Sequence, residues 1–274
     1  MRDLKLEILE RVKKEKVKFI QLQFMDILGA VKNVSIPAEN LEKALVDGVF
    51  FDGSSVLGYA TIEESDMRVM PDPKTFLVIP WTADNLKTAR LICNIYDAKG
   101  KRFEGDPRYC LERQLAIIKK QGLVFNAGPE YEFFLFQLDT NGSPVAKPSD
   151  SGTYFDLMRD RGDTVRKEIV GYLNQMGFEV EASHHEVAPG QHEIDLRYSD
   201  ALTTADRVAM MKYVTKIIAQ KYSLYATFMP KPIFGVCGSG MHVHQSLFDL
   251  KGNNIFYEPK GEYQLSDKAF CFIG

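Results

Sequence analysis

Several features that define whole classes of protein are scarce in this chain of 274 residues. Its four cysteines, Cys93, Cys110, Cys237 and Cys271, are widely spaced and form no C-x-x-C pair. A disulfide framework or a zinc knuckle is therefore disfavoured, and a reducing compartment is expected. No apolar run approaches the ~18 residues that a membrane span requires, so we expect no membrane partner.

An excess of positive charge is also missing. Lys and Arg number 34 against 37 Asp and Glu, which gives a formal net charge of -3. Without a basic surplus, nucleic acid is not an expected partner. The N-terminal stretch MRDLKLEILERVKKEK has the pattern of a charged amphipathic helix and lacks the apolar core of a signal peptide. Together these absences predict a cytoplasmic protein.

The composition is that of an ordinary globular protein, and the pattern of predicted helices and strands changes near residue 104. Hydrophobic residues make up 45% of the chain and charged residues 26%. Residues 1–103 mix short helices and strands, which predicts a compact sheet with a packed helix. Residues 104–274 contain more strands than helices, and several strands are separated only by tight turns. This pattern favours a largely antiparallel sheet backed by helices, so the predicted fold class is α+β in two domains.

Local signals place the main elements of the second domain. Asp106, Pro107 and Gly122 are typical of the N-cap, the first position and the end of a helix. Periodicity then predicts strands over 123–138, 178–186, 193–198, 225–229 and 240–248, and helices over 164–176 and 201–221. In the first domain, the Gly/Ser-rich stretch FFDGSSVLGY (50–59) predicts a loop.

Two glutamates lie two positions apart in an apolar strand pattern. The stretch GPEYEFFLF contains Glu130 and Glu132, and the period of two places both carboxylates on one face of a sheet. Two unit charges about 4 Å apart at an effective dielectric constant of about 20 repel by about 4 kcal/mol. A bound cation would remove this repulsion. A solvated face of an edge strand is the alternative that remains open from these residues alone.

The stretch HHEVAPGQHE (184–193) adds two carboxylates and three histidines. Glu186 ends one predicted strand and Glu193 begins the next, and the segment between them is short enough to reverse the chain. Both carboxylates can then point into one pocket. The H-E-x-x-H pattern of a metalloprotease helix does not occur. From these residues alone, His184, His185 and His192 can be metal ligands, or they can be core or loop histidines that backbone hydrogen bonds satisfy and that shape and support the pocket.

A third stretch, GSGMHVHQS (238–246), places His242 and His244 two apart on a strand after a glycine-rich bend. It lacks the G-x-x-x-x-G-K-[ST] spacing of a Walker loop. Together the three stretches supply four glutamates and at least one histidine without a thiolate, which favours Mg²⁺ or Mn²⁺ over zinc. Four carboxylates exceed the need of one ion, so two ions are expected. Paired ions of this kind usually handle phosphates.

Five motifs, in this order and spacing, resemble glutamine synthetase: FDGSS, GPEYEFFLF, EASHHEVAPGQHEID, ATFMPKP and GSGMHVHQS. The resemblance is to the type I enzyme of bacteria and archaea in its shorter form. It implies an N-terminal β-grasp domain (1–103) followed by the N-terminal part of the catalytic domain (104–274). It also implies ATP-dependent ligation of L-glutamate and ammonia through γ-glutamyl phosphate, with two Mg²⁺ or Mn²⁺ ions. The family assembles as a homo-oligomeric dodecamer of stacked hexameric rings, with each active site between neighbouring subunits.

The resemblance also implies roles for individual residues. Glu130 and His242 would hold the metal nearer the nucleotide phosphates, and Glu132, Glu186 and Glu193 would hold the metal nearer glutamate. Asp52, as the catalytic residue, would bind ammonium and accept its proton in the adjacent subunit's site, since a carboxylate can do both. The implied ATP contacts are Glu181, Tyr198 (which would pack on the adenine), His244, Gln245 and Ser246. The implied glutamate contacts are Cys237 and Gly238.

The chain departs from the family pattern in two respects. Cys237 stands where Asn is common, a change that we expect to be tolerated because the contact is made through the backbone. The family sequence also continues far beyond position 274, with the third ligand of the His242 metal and the phosphate-binding arginines. We therefore expect a C-terminally truncated chain with little or no synthetase activity on its own.

Two alternative functions remain open from the sequence. One is a related γ-glutamyl-amine ligase, which would share the metals and ATP but use another amine; the intact DGSS loop with Asp52 favours ammonia. The other is a non-catalytic relative with a structural or regulatory role, which the full set of metal glutamates opposes.

Overall fold

The computed structural model describes residues 2–274, which form two compact units, one ending at Gln114 and the other comprising Leu115–Gly274. The division falls within a helix. The domain boundary that we place just before residue 104 stays a prediction.

The first unit is a mixed sheet with packed helices. Its elements are α1 (Arg2–Lys14), β1 (Phe19–Met25), β2 (Val31–Pro37), α2 (Leu41–Asp47), β3 (Val49–Asp52), β4 (Asp66–Pro71), β5 (Leu77–Val78) and β6 (Thr88–Tyr96). The strand order is β2-β1-β6-β4-β3, and β5 also pairs with β6. β1 and β6 run parallel, whereas the other pairs are antiparallel.

Alternating residues of β1 supply the core of this unit. Ile20, Leu22 and Phe24 are buried, as the period of two predicts. They pack with the apolar face of α1, which includes Ile8 and Val12. This burial fixes the register of β1 between β2 and β6.

One predicted loop is partly wrong. The first three residues of the stretch expected as a loop, Phe50–Asp52, belong to β3, which pairs with β4 through Asp52. The aromatic residues explain the difference, because the ring of Phe51 lies 5.0 Å from that of Phe24 in the core. Only after Asp52 does the chain turn, in a short 3₁₀ helix over Gly53–Ser55.

The second unit is built around one long strand. The elements from its linking helix onward are α3 (Pro107–Lys120), β7 (Leu123–Leu138), β8 (Pro144–Pro148), α4 (Asp163–Gln175), β9 (Val180–His185), β10 (Gln191–Leu196), β11 (Ser199–Asp200), α5 (Ala201–Lys221), β12 (Leu224–Thr227), β13 (Met241–Asp249) and α6 (Asp267–Ile273). β7 pairs with β8, β10, β11, β12 and β13, and β10 pairs with β9. All these pairs are antiparallel, which confirms the predicted sheet.

Helices α4 and α5 cover one face of this sheet. They bury Ile169, Leu173 and Ile218 completely, together with Phe133 and Ile194 from the sheet. Because side chains alternate along β7 and β10, the neighbours of Phe133 and Ile194 in sequence point to the opposite face. That opposite face carries the polar groups described below. Among residues 2–274, no helix is long and apolar enough to cross a membrane.

Candidate metal centre

Strand register brings carboxylates from different strands onto one face of the second sheet. Glu132 of β7 lies directly opposite Glu193 of β10, and Glu130 lies opposite Asp195. On the other edge of β7, Glu130 lies opposite His242 of β13. Residues directly opposite in an antiparallel pair share a face. We call this set of residues the acidic face: Glu130, Glu132, Glu186, Glu193, Asp195, His184, His242 and His244.

Glu132 is the buried centre of the acidic face. The side-chain amide of Gln191 donates to Glu132 Oε2 at 2.8 Å and to the Gly238 carbonyl at 2.9 Å. Burial raises the pKa of Glu132, and the nearby charges of Glu186 and Glu130 raise it further. The Glu132 carboxylate is thus held in place by Gln191, with the charges of Glu186 and Glu130 nearby.

The predicted chain reversal joins β9 to β10 and presents Glu186 beside Glu193. The N–H of Glu186 donates to the Gln191 carbonyl at 2.8 Å, and the N–H of Gln191 donates to the Ala188 carbonyl at 3.0 Å. Burial, followed by hydrogen bonding with Glu186 and Asp195, raises the pKa of Glu193 to about 9. The Glu193 carboxyl group is therefore poorly solvated and lies beside two other carboxylates.

His184 lies between these two glutamates, where it helps to shape the pocket that they form. Its Nδ1 is 3.5 Å from Glu186 Oε1, and its Nε2 is 3.6 Å from Glu193 Oε2. One potential ligand atom from each of His184, Glu193 and Asp195 lies within 4.8 Å of the other two. Asp195 escaped the sequence prediction as a site residue, although its spacing of two from Glu193 could have identified it.

Glu130 marks the other end of the acidic face. The imidazole of His242 lies with Nδ1 3.2 Å from Glu130 Oε2, and Nε2 of His244 hydrogen-bonds to Glu130 Oε1. These histidines, His244 first, lower the pKa of Glu130. The structure therefore brings Glu130 and His242 together, as the sequence predicts, and adds His244, to which we assigned a nucleotide contact.

A cavity of about 390 Å³ opens beside Glu130. Three of the predicted ATP contacts, Glu181, Tyr198 and His244, line it together. Ser246 lies on the same side of β13 as His244, whereas Gln245 alternates to the other side. The side chain of Gln245 therefore lies on the opposite side of β13 from His244, and its assignment as an ATP contact stays a prediction.

The predicted glutamate contacts lie in the segment that precedes β13. Gly238 is tightly enclosed: a Cβ atom there would come within 2.3 Å of the Pro230 carbonyl oxygen. Its own carbonyl accepts the hydrogen bond from Gln191, which also holds Glu132. Cys237 next to it is an exposed free thiol.

The other two histidines of the stretch HHEVAPGQHE (184–193) lie on the helix-covered face. His185 and His192 pair with each other across β9 and β10, and both are buried. His185 Nε2 donates to Asp150 at 2.9 Å, and Arg166 of α4 contacts His192 Nδ1 at 2.9 Å. This location fits the supporting role that the sequence leaves open for them.

Asp52 lies in the first unit, at the end of β3. Its exposed carboxylate accepts hydrogen bonds from the backbone and hydroxyl of Ser54 and from the hydroxyl of Ser55. These bonds, with the Ser54 hydroxyl first, lower the pKa of Asp52. The carboxylate is kept ionised and caps the following turn.

The donor set of the acidic face fits a pair of hard divalent cations. It offers carboxylate oxygens and imidazole nitrogens without a thiolate, the set that suits Mg²⁺ or Mn²⁺. Glu132 and Glu193 lie close to other carboxylates where burial limits their solvation, and bound cations would relieve the repulsion among them. Glu132, Glu186 and Glu193 can together bind one ion. Glu130 and His242 can supply some of the ligands of a second ion.

The fold and site together define a two-domain α+β protein with an acidic sheet face. Residues 16–98 match the β-grasp domain of glutamine synthetase, and residues 104–274 match its catalytic domain. The chain therefore belongs to the glutamine synthetase family.

Individual relatives agree with this assignment. The chain is 53% identical to the glutamine synthetase of Thermus thermophilus, in a match that covers 98% of this chain. It is 52% identical to that of Staphylococcus epidermidis, in a match that covers 97% of this chain. It covers 61% and 60% of those two proteins. The chain thus spans about 60% of the length of the curated relatives it matches.

Solved structures share the fold. A GmaS/ADP complex superposes with a TM-score of 0.87 at 32% sequence identity. The match covers 97% of this chain and 61% of the GmaS chain. Plasmodium falciparum glutamine synthetase also gives a TM-score of 0.87, at 27% identity, over 98% of this chain and 58% of its own.

Proposed function

We propose that the protein to which this chain corresponds joins L-glutamate and ammonia to form L-glutamine, with ATP as the energy source. The observation that carries the proposal is the acidic face, where Glu132 and Glu193 lie opposite each other and beside Glu186. In this reaction the γ-phosphoryl group passes from ATP to the γ-carboxylate of glutamate, which yields ADP and γ-glutamyl phosphate. Ammonia then displaces phosphate.

The residues of the acidic face hold and orient the reacting groups. Two Mg²⁺ or Mn²⁺ ions would neutralise phosphate charge that develops during transfer when they are bound here. Glu132, Glu186 and Glu193 would hold one ion on the glutamate side, next to the Gly238 turn. Glu130 and His242 would hold the other beside the cavity that Glu181, Tyr198 and His244 line, where ATP would bind.

Asp52 would bind ammonium. Its lowered pKa keeps the carboxylate charged, so that it attracts the cation. Ammonium has no free lone pair, and it must lose a proton to attack the acyl phosphate. A carboxylate in contact with the cation can accept this proton, and the ammonia that remains then attacks the acyl carbon and displaces phosphate.

Metal binding tests the proposal on the chain itself. Isothermal titration with Mn²⁺ should show two sites, with the Glu132 site the tighter because three carboxylates contribute to it. Glu132→Ala should weaken that site at least tenfold, whereas Glu42→Ala, an exposed glutamate in α2, should leave both sites unchanged. Unchanged affinity in the Glu132→Ala protein would refute the metal assignment.

The identity of the amine needs a separate assay. Phosphate release with ATP and glutamate should depend on ammonia rather than on alkylamines or polyamines if Asp52 serves as proposed. A preference for a larger amine would identify a γ-glutamyl-amine ligase instead.

Assembly and location belong to the same proposal. We propose that the whole protein is a cytoplasmic homo-oligomer, with a dodecamer as the family's arrangement. Light scattering on the full-length protein measures its mass directly, and a monomeric mass would contradict this part of the proposal.

A further inference from the structure

We infer that Asp150, acting through His185, is a positioning residue for the metal centre: it fixes the chain reversal that presents Glu186 and Glu193. The inference rests on the proposed function, because it concerns the same metal centre. Asp150 lies in the loop between β8 and α4, and no motif of the sequence points to it.

The Asp150 carboxylate is completely buried and holds three segments of chain together. Its Oδ1 accepts from His185 Nε2 at 2.9 Å, from the Gly190 N–H at 2.9 Å and from the Gly152 N–H at 3.1 Å. Its Oδ2 accepts from the Arg161 N–H at 3.1 Å. A buried carboxylate with four donors is fully satisfied and therefore rigid.

His185 connects this carboxylate to the first metal ligand of the reversal. Its Nε2 donates to Asp150, and its Nδ1 donates to the Glu186 carbonyl at 2.6 Å. Both ring nitrogens face oxygen acceptors, so both act as donors. The backbone of Glu186 is thereby held from the helix-covered side of the sheet.

Gly190 connects the same carboxylate to the other end of the reversal. Its N–H donates to Asp150, and its carbonyl accepts from the Leu135 N–H at 2.8 Å. The next residue, Gln191, holds Glu132 through its side-chain amide. One carboxylate therefore restrains both ends of the segment between Glu186 and Gln191.

Asp150 does this without lying on the acidic face. His185 lies opposite His192, whereas His184 lies opposite Glu193, so the two neighbouring histidines point to different faces of the sheet. Of these two histidines, Asp150 contacts His185. Its effect on the metal ligands must pass through the backbone of the reversal.

The buried groups around Asp150 do not form a metal site of their own. Asp150, Asp160, His185 and His192 have potential ligand atoms within 4.8 Å of one another. However, the guanidinium of Arg166 lies among them, 2.7 Å from Asp160 and 2.9 Å from His192 Nδ1. A fixed cation already balances the cluster, which is therefore an internal support of the sheet.

The inference is tested by Mn²⁺ titration of the chain carrying Asp150→Asn. The amide keeps the size of the carboxylate, but its oxygen is an uncharged and weaker acceptor for His185, Gly190 and Gly152, and its NH2 group would face the Arg161 N–H. Loss of a group that orients metal ligands typically weakens metal binding by 10- to 100-fold, so we expect about this loss at the tighter site. The matched control is Asp26→Asn, since Asp26 is also buried and accepts from the N–H groups of Leu28 and Ala30 in the other unit. It should leave Mn²⁺ affinity unchanged.

The electron paramagnetic resonance spectrum of bound Mn²⁺ separates positioning from a general loss of stability. At saturating Mn²⁺, we expect Asp150→Asn to broaden the signal of the tighter site, because the ligand geometry changes. His185→Gln keeps a donor towards Asp150 but loses the one to Glu186, and should show a smaller loss of affinity. It also serves as the test if Asp150→Asn does not fold.

Wild-type affinity and spectrum in both folded variants, or in folded His185→Gln alone, would overturn the inference. A wild-type chain that binds no Mn²⁺ would overturn the proposed metal centre as well. The parental titration therefore distinguishes the two failures.

Discussion

At the scale of residues, the acidic face combines charges that a folded protein does not usually place together. Glu193 contacts both Glu186 and Asp195, and its pKa rises to about 9 as a result of burial and these neighbours. Such a site is unfavourable when its carboxylates are ionised and no cation is bound. We interpret this cost as the physical basis of metal affinity, since the same carboxylates become ligands when a divalent ion arrives.

The high pKa of Glu193 has a consequence for stability. Because the pKa is about 9 in the folded chain against an ordinary 4.5, the folded state keeps a proton that the unfolded state loses between these values. The free energy of unfolding of the metal-free protein should therefore fall as pH rises through this interval. Glu193→Gln should flatten the profile in urea titrations at several pH values, and exposed Glu42→Gln should not. A profile of equal slope in both variants would contradict the assignment.

Gly238 offers a steric test of the turn beside Glu132. A Cβ atom there would lie 2.3 Å from the Pro230 carbonyl oxygen, so Gly238→Ala must displace the turn that Gln191 holds. We expect lower stability and weaker Mn²⁺ binding. Gly171→Ala in α4, where nothing lies within 4 Å of a Cβ, should instead stabilise by about 0.5–1 kcal/mol. Urea unfolding with and without Mn²⁺ measures both, and equal behaviour of the two variants would refute the steric account.

At the scale of elements, local signals were sufficient for most helices and strands of the second unit. The strand over 123–138 and the helix over 201–221 have the predicted bounds, because a continuous apolar pattern and clear end signals define each. Asp106 accepts from the Arg108 N–H at 3.0 Å, as an N-cap does. Ser266 likewise accepts from the Ala269 N–H at the start of α6.

Other elements could not be predicted because their signals depend on pairing. β4, in which Met67 and Val69 are buried, was missed since its stretch is short and ends at Pro71. The same limit applies to the site. The period of two puts Glu130 and Glu132 together, but only the register of β10 and β13 shows that Asp195 and His244 join them. Register depends on how two strands pair, so the sequence of one strand alone does not show which residues of its neighbours lie opposite.

The packing of α4 on the sheet gives a prediction at this scale. Ile169 is completely buried, so Ile169→Ala removes methylene groups and leaves a cavity that costs about 2–5 kcal/mol. Ile117 of α3 is 52% exposed, and Ile117→Ala should change the free energy of unfolding by about 0.5 kcal/mol or less. Chemical denaturation of both variants checks this, and a comparable loss in the two would mean that α4 is not packed as described.

At the scale of the whole molecule, the two units have different parts in the account. The first contributes Asp52 on an exposed turn, and the second contributes the acidic face and the cavity beside it. Membership in the family follows from both units, since each matches its own domain of glutamine synthetase. The chain covers about 60% of the length of its curated relatives.

Ligand linkage gives a prediction for the molecule as a whole. A cation that binds only the folded state stabilises it by about 2.7 kcal/mol when its concentration is 100 times the dissociation constant. Mn²⁺ should therefore raise the melting temperature of the chain, and chelation should reverse the increase. Glu132→Ala should remove most of the effect. Equal stabilisation of the variant would place the binding elsewhere.

The central claim is that the acidic face binds divalent cations through the glutamates of β7 and of the β9–β10 reversal. Anomalous X-ray scattering from crystals that contain Mn²⁺ locates the ions directly. The account predicts a peak within coordinating distance of Glu132, Glu186 and Glu193, and a second, weaker peak at Glu130 and His242. Peaks only at other positions, or no peak at the acidic face with Mn²⁺ at saturating concentration, would contradict it.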